Sequence, residues 1–251
     1  MTDRMGSRPK VLFLITARAG SKGVPRKNLR EIDGMSLLGY KAVAAQRSRY
    51  CDRLVVSTES AEIQAEAARH GAEVLFTRPA ELASDTASSL DVVLHAIEWF
   101  DQHTTDRFDA LMLLEPSAPF ARPQDFDAAV ELFHLRNANL VVGMRATEVN
   151  SIFVGPLTDD GRITTIIDQM ATIAAMRRQD VAQEYTMNGA LYLIGWEFLK
   201  RERRIYADRD RSFGYVMPGE HSIEIDSPRD LTWAEFLVER GDIDLTPWRS
   251  Q

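Results

Sequence analysis

The chain has 251 residues, a formal net charge of −7 at pH 7 and a hydrophobic fraction of 45%. This length and composition predict one large globular domain with a sizeable core. The acidic balance argues against non-specific nucleic-acid binding, which needs a basic surface. Cys51 is the one cysteine, so a disulfide framework within the chain is excluded and a reducing compartment is the simple interpretation. The N-terminus lacks the apolar core of a signal peptide, and no apolar run approaches the ~20 residues that span a bilayer. We therefore expect a cytoplasmic protein that binds neither nucleic acid nor membrane.

Strands and helices are predicted to alternate along residues 1–146. The run KVLFLITA, residues 10–17, is continuously apolar and ends at a glycine-bearing loop, which is typical of a buried parallel strand. Further strands are predicted at 53–58, 73–76, 110–116 and 139–146, and helices at 36–48, 60–71, 88–100 and 122–136. Ser36 is a candidate N-cap and Gly71 a candidate helix end. This alternation predicts an α/β fold with a doubly wound, mostly parallel sheet, whose ligands should bind beyond the carboxyl ends of the strands.

The pattern becomes less regular between residues 147 and 206. Strands are predicted at 161–167 and 189–196, with polar loops between them. Residues 222–241 return to a predicted strand, a turn and a helix that Pro228 opens. We therefore expect residues 1–146 and 207–251 to form the α/β domain, and residues 147–206 to form an extension that covers the site or makes a subunit contact.

Positive charge is concentrated in the loop that follows the first predicted strand. The stretch ITARAGSKGVPRKNL contains no acidic residue and places Arg18, Lys22 and Lys27 within ten positions. Backbone N–H groups of such a loop can point at an anion, while arginine offers a planar fork to phosphate oxygens and lysine a point charge. The loop has neither the spacing of a Walker A motif nor that of G-x-G-x-x-G. From the residues alone, both a phosphate-binding loop and a solvated basic turn stay open.

The full wording of this loop, ARAGSKGVPRKNL, resembles the N-terminal signature of the CMP-N-acylneuraminate (CMP-sialic acid) synthetases and their cytidylyltransferase relatives. The resemblance covers most of the chain in family order, through TRPAELASDTASS, LLEPSAPF, RRQDVAQEYTMNGALYL and SIEIDSPRDL. It implies a Rossmann-like nucleotidyltransferase fold with a small dimerisation extension. It also implies an enzyme in which the anomeric hydroxyl of a sugar acid attacks the α-phosphorus of CTP, so that pyrophosphate leaves and a CMP-sugar forms. A divalent metal, Mg²⁺ or Mn²⁺, and a homodimer are implied as well.

The resemblance assigns individual residues to the nucleotide. The residues implied to bind CTP are Ala17, Arg18, Lys22, Lys27, Asn28, Arg78, Ala87 and Ser89. Arg18, Lys22 and Lys27 match triphosphate-binding positions, where positive charge stabilises the negative charge of the phosphates. Together with Asp226 they are the implied catalytic residues. The small residues in SDTASS would let backbone amide groups read a pyrimidine at close approach, although the same segment also fits an ordinary helix N-cap.

Glu224 and Asp226 are the implied metal ligands. On a strand, residues i and i+2 share a face, so both carboxylates would point the same way. Two carboxylates with phosphate oxygens and waters suit Mg²⁺. The family usually has aspartate at the first position, and the longer Glu224 moves its carboxylate by one C–C bond, ~1.5 Å. A solvent-facing acidic strand end is the alternative interpretation.

The acceptor side departs most from the family. The residues implied to bind the sugar acid are Glu115, Arg178, Asn188 and Tyr192. Glu115 stands where glutamine is usual and Thr186 where arginine is common, so the pocket gains negative charge beside a triphosphate. Either Glu115 is paired or protonated, or the acceptor differs. We hypothesise that CTP use is retained and that the acceptor is a 2-keto-3-deoxy sugar acid other than simple N-acetylneuraminate. Local drift around an unchanged substrate is the alternative.

Two other functions stay open at this point. A nucleotidyltransferase or glycosyltransferase with another donor could share the α/β domain and the acidic pair. Glycosyltransferases of this fold, however, usually place Asp-x-Asp in the middle of the chain. A non-catalytic nucleotide-binding protein is the second alternative, and the retained cations and Asp226 argue against it. The sequence indicates no side chain as general base.

Overall fold

The computed structural model describes residues 8–21, 23–171 and 182–249. The strands are β1 (Val11–Thr16), β2 (Glu31–Ile32), β3 (Met35–Ser36), β4 (Cys51–Ser57), β5 (Ala110–Leu114), β6 (Leu140–Ala146), β7 (Tyr185–Gly195) and β8 (Ser212–Val216). The helices are α1 (Leu37–Gln46), α2 (Ala61–Arg69), α3 (Ser89–His103), α4 (Pro123–Leu135), α5 (Thr164–Ala171), α6 (Trp196–Glu202) and α7 (Pro228–Arg240). Short 3₁₀ turns lie at Lys27–Leu29, Ala80–Ala83, Ser151–Phe153 and Gly219–His221.

Six of these strands form one sheet in the order β4-β1-β5-β7-β6-β8, and β2 and β3 form a separate hairpin. Strand β7 runs antiparallel to both of its neighbours, whereas β1 pairs in parallel with β4 and β5, and β6 pairs in parallel with β8. The predicted doubly wound, mostly parallel α/β fold is therefore confirmed.

The core lies on both faces of the sheet because β1 is apolar from Val11 to Ile15. Val11, Phe13 and Ile15 pack into one buried cluster with apolar residues of α1, α2, α4 and α7. Leu12 and Leu14 point to the opposite face and pack with α3 and α6. Side chains alternate across a strand, so a continuous apolar run requires a cover on each side.

Serine side chains mark the starts of several helices. The Ser36 hydroxyl accepts the N–H of Gly39 at 2.9 Å at the start of α1, and the Ser88 hydroxyl accepts the N–H of Asp91 at 3.1 Å at the start of α3. Gly71 follows α2 with a φ of 77°, a left-handed conformation that glycine adopts without strain. Each cap of this kind stabilises a helix by about 1 kcal/mol, and these predicted helix ends are confirmed.

Three predicted strands are wrong. Residues 73–76 make a single bridge, between Glu73 and Val55, rather than a strand. Helix α5 begins within residues 161–167, at Thr164, and residues 222–226 contain no assigned strand. The sequence analysis does not predict β8, which lies at the edge of the sheet and has a half-exposed pattern. Such an edge strand has little apolar periodicity to signal it.

The predicted extension, residues 147–206, is not a separate layer throughout. Strand β7 falls inside that range and lies in the sheet between β5 and β6, so the domain boundary at residue 206 stays a prediction. Between residues 147 and 171, large apolar side chains face solvent: Val149, Val154, Leu157, Ile163, Ile167 and Met170. None of the helices in the described ranges is both long and apolar enough to cross a membrane.

Candidate active site

A cleft of about 420 Å³ opens at the carboxyl ends of β1 and β5. The strand order reverses here, because the chain passes from β1 to β4 on one side and later returns to β5 on the other. Ligands of open α/β sheets bind at such a point. The cleft is lined by the sequence-predicted residues Ala17, Arg18, Lys27, Asn28, Arg78, Ala87, Ser89, Glu115, Glu224 and Asp226. Lys22 lies outside the described residues.

The loop after β1 is held in shape by two side chains. The Glu59 carboxylate accepts the backbone N–H of Ala19 at 2.8 Å, and the Asn28 side-chain N–H donates to the carbonyl oxygen of Arg18 at 2.9 Å. Asn28 is buried, with 7% of its surface exposed, so this geometry supports a loop-shaping role for it. The sequence analysis missed Glu59, because an acidic residue shortly after a strand is too common to indicate a function.

Arg18 and Lys27 reach the cleft from this loop, and each pairs with an acidic residue. Arg18 Nη1 lies 2.6 Å from Asp85 Oδ1 in the segment before α3. Lys27 Nζ lies 2.9 Å from Asp226 Oδ1, and 19% of the Lys27 side chain is exposed against 67% of the Asp226 side chain. The carboxylates of Asp85 and Asp226 are 47% and 67% exposed, so both can turn toward solvent and leave Arg18 and Lys27 to another anion.

Arg78 lies in the floor of the cleft with 5% of its surface exposed. Its Nε donates to the Ser57 hydroxyl at 3.1 Å, and its Nη2 donates to the carbonyl oxygens of Ala17, at 3.1 Å, and Ser57. Burial lowers the pKa of Arg78 to about 10, which leaves the guanidinium charged at neutral pH. These bonds join the ends of β1 and β4, so the geometry supports a positioning role for Arg78, and its implied contact with CTP stays a prediction.

The segment before α3 forms another wall of the cleft. Ala87 and Ser89 line it, and Ser88 between them caps the helix. The helix-cap interpretation of SDTASS is therefore confirmed, and reading of the base by Ala87 and Ser89 stays a prediction. A helix start supplies free backbone N–H groups, so capping and ligand binding are compatible.

Glu224 and Asp226 lie in the extended segment that precedes α7. Ile225 between them is fully buried, and its N–H donates to the carbonyl oxygen of Ser117 at 2.7 Å. Because Ile225 points into the core, its two neighbours point the other way, into the cleft. The shared face expected of a strand is thus present without the strand. The Asp230 carboxylate accepts the N–H of Asp226 at 3.1 Å and fixes the turn into α7.

Carboxylates are crowded at this end of the cleft. Burial, and then the charge of Asp226, raises the pKa of Glu224; burial, and then the charge of Glu224, raises the pKa of Glu115. Such mutual repulsion favours a bound cation. Within the described residues no group of three or more His, Cys, Asp or Glu side chains is arranged to hold a metal ion. A hard cation at Glu224 and Asp226 would therefore complete its coordination with phosphate oxygens and waters, as Mg²⁺ commonly does.

A second cleft of about 420 Å³ adjoins the first, and Ser89 and Glu115 line both. Its other lining residues are Ser88, Leu90, Leu113, Tyr192, Arg204, Ile205 and Tyr206. It contains the predicted sugar-binding residues Glu115 and Tyr192, while Arg178 lies outside the described residues. The sequence analysis did not single out Arg204 or Tyr206, since no local motif marks them.

Asn188, predicted to bind the sugar acid, lines neither cleft. It is fully buried, and its side-chain N–H groups donate to Ser222 Oγ at 2.9 Å and lie 3.2 Å from Met217 Sδ. Its Oδ1 accepts the N–H of Ala190 at 3.1 Å. These contacts support a structural role in β7, and the predicted contact with sugar has no support in this position.

Gly23 packs directly against the acidic segment. A Cβ at this position would lie 1.9 Å from the carbonyl oxygen of Asp226. We expect Gly23→Ala to lower stability by about 1–3 kcal/mol, as overpacking does, because the Asp226 backbone must move. Thermal unfolding measures this effect. Gly219→Ala is the matched control, since a Cβ there meets no described atom within 4 Å, and equal behaviour of the two variants would contradict the contact.

Comparison with known proteins finds similarity over most of the chain. Residues 12–223 match the cytidylyltransferase family. The chain is 32% identical to the post-translational flagellin modification protein B of Campylobacter coli, over 93% of this chain and 97% of that protein. It is 30% identical to the CMP-N,N'-diacetyllegionaminic acid synthase of Legionella pneumophila, over 92% of this chain and 97% of that enzyme.

A solved structure supports the fold. The CMP:2-keto-3-deoxy-manno-octonic acid synthetase complexed with CTP superimposes with a TM-score of 0.66 at 16% identity, over 92% of this chain and 99% of that one. The resemblance found in the sequence motifs is thus confirmed at the level of the family. A family match over most of its length, together with two relatives at 30% identity or more, shows that this chain belongs to the cytidylyltransferase family.

Proposed function

We propose that the chain is a CTP-dependent cytidylyltransferase that activates a sialic-acid-like sugar acid, giving a CMP-sugar and pyrophosphate. The observation that supports this most strongly is one cleft that brings together the cationic loop after β1 and the acidic pair before α7, with Lys27 Nζ of the loop 2.9 Å from Asp226 Oδ1. Phosphoryl-type transfer depends on positioning and charge stabilisation. The loop after β1 and the acidic pair before α7, which are far apart in the sequence, are proposed to meet both requirements.

The proposed reaction transfers a cytidylyl group. The acceptor's anomeric hydroxyl oxygen forms a bond to the α-phosphorus of CTP, the bond from that phosphorus to the pyrophosphate oxygen breaks, and the hydroxyl proton is released. Arg18 and Lys27 would bind the triphosphate and stabilise the negative charge that develops on pyrophosphate. Lys22, from the sequence resemblance, is proposed to act with them.

Glu224 and Asp226 would hold a divalent cation, Mg²⁺ or Mn²⁺. The crowding of these carboxylates in the cleft fits such a cation, and when bound it would offset charge on the phosphates. Asp226 is the better placed ligand, because its side chain is 67% exposed and already contacts Lys27 next to the proposed triphosphate position.

The second cleft is the proposed acceptor site. Its walls combine apolar and aromatic side chains with one arginine and one glutamate, which suits a sugar acid with apolar substituents and one carboxylate. One relative is named as a synthase for CMP-N,N'-diacetyllegionaminic acid, and we propose an acceptor of that diacylamino class rather than simple N-acetylneuraminate.

A homodimer formed through residues 147–171 is also proposed. The exposed apolar side chains of this segment include Leu157, Ile163 and Ile167, and contiguous exposed apolar surface is typical of an interaction site. A cytoplasmic location stays a prediction from the sequence.

The test is a nucleotide and acceptor panel. CTP, UTP, GTP and ATP are each incubated with Mg²⁺ and a set of 2-keto-3-deoxy sugar acids, and products are read by pyrophosphate release and mass spectrometry. We expect turnover with CTP and a CMP-sugar mass for a diacylamino acid. Turnover with GTP or UTP in place of CTP would contradict the donor, and efficient turnover of simple N-acetylneuraminate would contradict the acceptor class.

A further inference from the structure

Helix α1 carries a lysine that is entirely buried. Lys41 has 0% of its surface exposed, and its Nζ donates to the carbonyl oxygen of Ala190 in β7 at 2.6 Å. The same nitrogen lies 5.5 Å from the ring centroid of Phe126. Burying a lysine away from water is costly unless its charge is paired, so its retention in the core calls for a nearby negative charge.

The backbone at Gly189 and Ala190 separates Lys41 from the carboxylates of the cleft. On one side, Ala190 accepts the Lys41 hydrogen bond. On the other, a Cβ at Gly189 would lie 2.7 Å from Glu224 Oε1 and 3.6 Å from Glu115 Oε2. Lys41 therefore approaches the acidic cluster from behind, through the sheet, while Lys27 approaches it from the solvent side.

Two carboxylates interact electrostatically with Lys41, and Glu115 has the larger effect. Burial lowers the pKa of Lys41 to about 7, and Glu115, followed by Asp125, opposes that shift. Asp125 already has other partners, because its carboxylate accepts the Arg122 N–H at 2.8 Å and the Tyr215 hydroxyl at 3.1 Å. Burial raises the pKa of Glu115, the charge of Glu224 raises it further, and of the two lysines that oppose this shift Lys41 has a larger effect than Lys27.

Glu115 lines both clefts, as Ser89 does, and therefore lies between the proposed nucleotide and acceptor sites. An ionised carboxylate only accepts hydrogen bonds, whereas the glutamine that is usual at this position both accepts and donates them. A negative charge beside a triphosphate is unfavourable, and a compensating positive charge behind it removes part of that cost.

We propose that Lys41 is the buried counter-charge of Glu115, and that this pair makes Glu115 a specificity-determining residue that accepts hydrogen bonds from an N–H or O–H group of the acceptor. Lys41 is then a positioning residue, acting through Glu115. The acceptor part of this inference rests on the proposed function; the pairing does not.

The pairing is tested by a double-mutant cycle on unfolding, which needs no substrate. Lys41→Met, Glu115→Gln and the double variant are compared by denaturant titration. We expect Lys41→Met to lower the unfolding midpoint strongly, because it removes the larger of the two positive charges that act on Glu115, and Glu115→Gln to recover part of the loss when added to it. A parallel cycle of Lys41→Met with Asp125→Asn serves as the control. Additive effects in the first cycle, or stronger coupling in the second, would overturn the pairing.

Acceptor selection is tested by steady-state kinetics of the folded enzyme with the best acceptor of the panel. A lost hydrogen bond to a charged group should raise the acceptor KM of Glu115→Gln by roughly tenfold or more, and by more than the KM for CTP. An unchanged acceptor KM would overturn the selecting role. Absence of CTP turnover with every acceptor would overturn the proposed function and this role together, while the unfolding cycle would still decide the pairing.

Discussion

Asp226→Asn is expected to lower kcat by roughly 100-fold or more, because the variant loses the carboxylate that would hold the divalent cation next to the phosphates. The amide keeps the size of the side chain, and the backbone N–H of residue 226 can still donate to Asp230, so stability should change little. The measurement is pyrophosphate release from CTP at saturating acceptor across a titration of Mg²⁺. Chelation of the metal with EDTA should abolish activity of the parent enzyme.

The control for this prediction is Asp242→Asn. Asp242 is an exposed carboxylate paired with Arg240 at 3.0 Å beyond α7, and it lies outside both clefts. The Asp242→Asn variant should retain the parent activity and the parent response to Mg²⁺. If Asp226→Asn behaved like this control, the acidic pair would have no metal-binding role and the proposed function would lose its cation site.

Lys27→Ala is expected to lower kcat by ~10²-fold, because a charge that stabilises the leaving pyrophosphate is removed. The variant also leaves Asp226 without the ammonium group that lies 2.9 Å away, so repulsion from the triphosphate should raise the KM for CTP as well. Lys27→Arg, which keeps the charge, should recover part of both. Steady-state kinetics with CTP varied at saturating acceptor separates the two parameters.

Arg26→Gln is the neighbouring control. Arg26 also belongs to the cationic loop, but its guanidinium pairs with Glu62 and 65% of its side chain is exposed. Neutralising it should change kcat less than about threefold, within the range of exposed ion pairs. A rise in KM for Lys27→Ala with unchanged kcat would instead assign Lys27 to ground-state binding.

The parts of the fold that could be predicted depend on local chemistry. The apolar run of β1, the serine caps at Ser36 and Ser88 and the glycine at Gly71 each act within a few residues, and the structure has them as expected. The edge strand β8, and the antiparallel position of β7 between β5 and β6, could not be predicted in this way. Residues 161–167 are rich in threonine and isoleucine, which favour strands, yet α5 begins at Thr164 and packs on the turn at Ser151–Phe153.

The residues of the candidate site also differ in whether the sequence could identify them. Arg18, Lys27 and the acidic pair could be found because motifs name them, and the cleft brings them together. Glu59, Arg204 and Lys41 could not. Lys41 in particular sits in GYKAVA, where a lysine on a helix normally faces solvent, and only the packing of α1 on β7 shows that it is buried.

The pairs Arg18–Asp85 and Lys27–Asp226 have a thermodynamic consequence for substrate binding. If a triphosphate bound Lys27 as proposed, Asp226 would lose its partner, and a divalent cation would replace it. Nucleotide and cation would then each strengthen the binding of the other, and this coupling must be equal in both directions. The enzyme would thus hold CTP weakly without metal and metal weakly without CTP, and would reach full affinity only for the complex of the two.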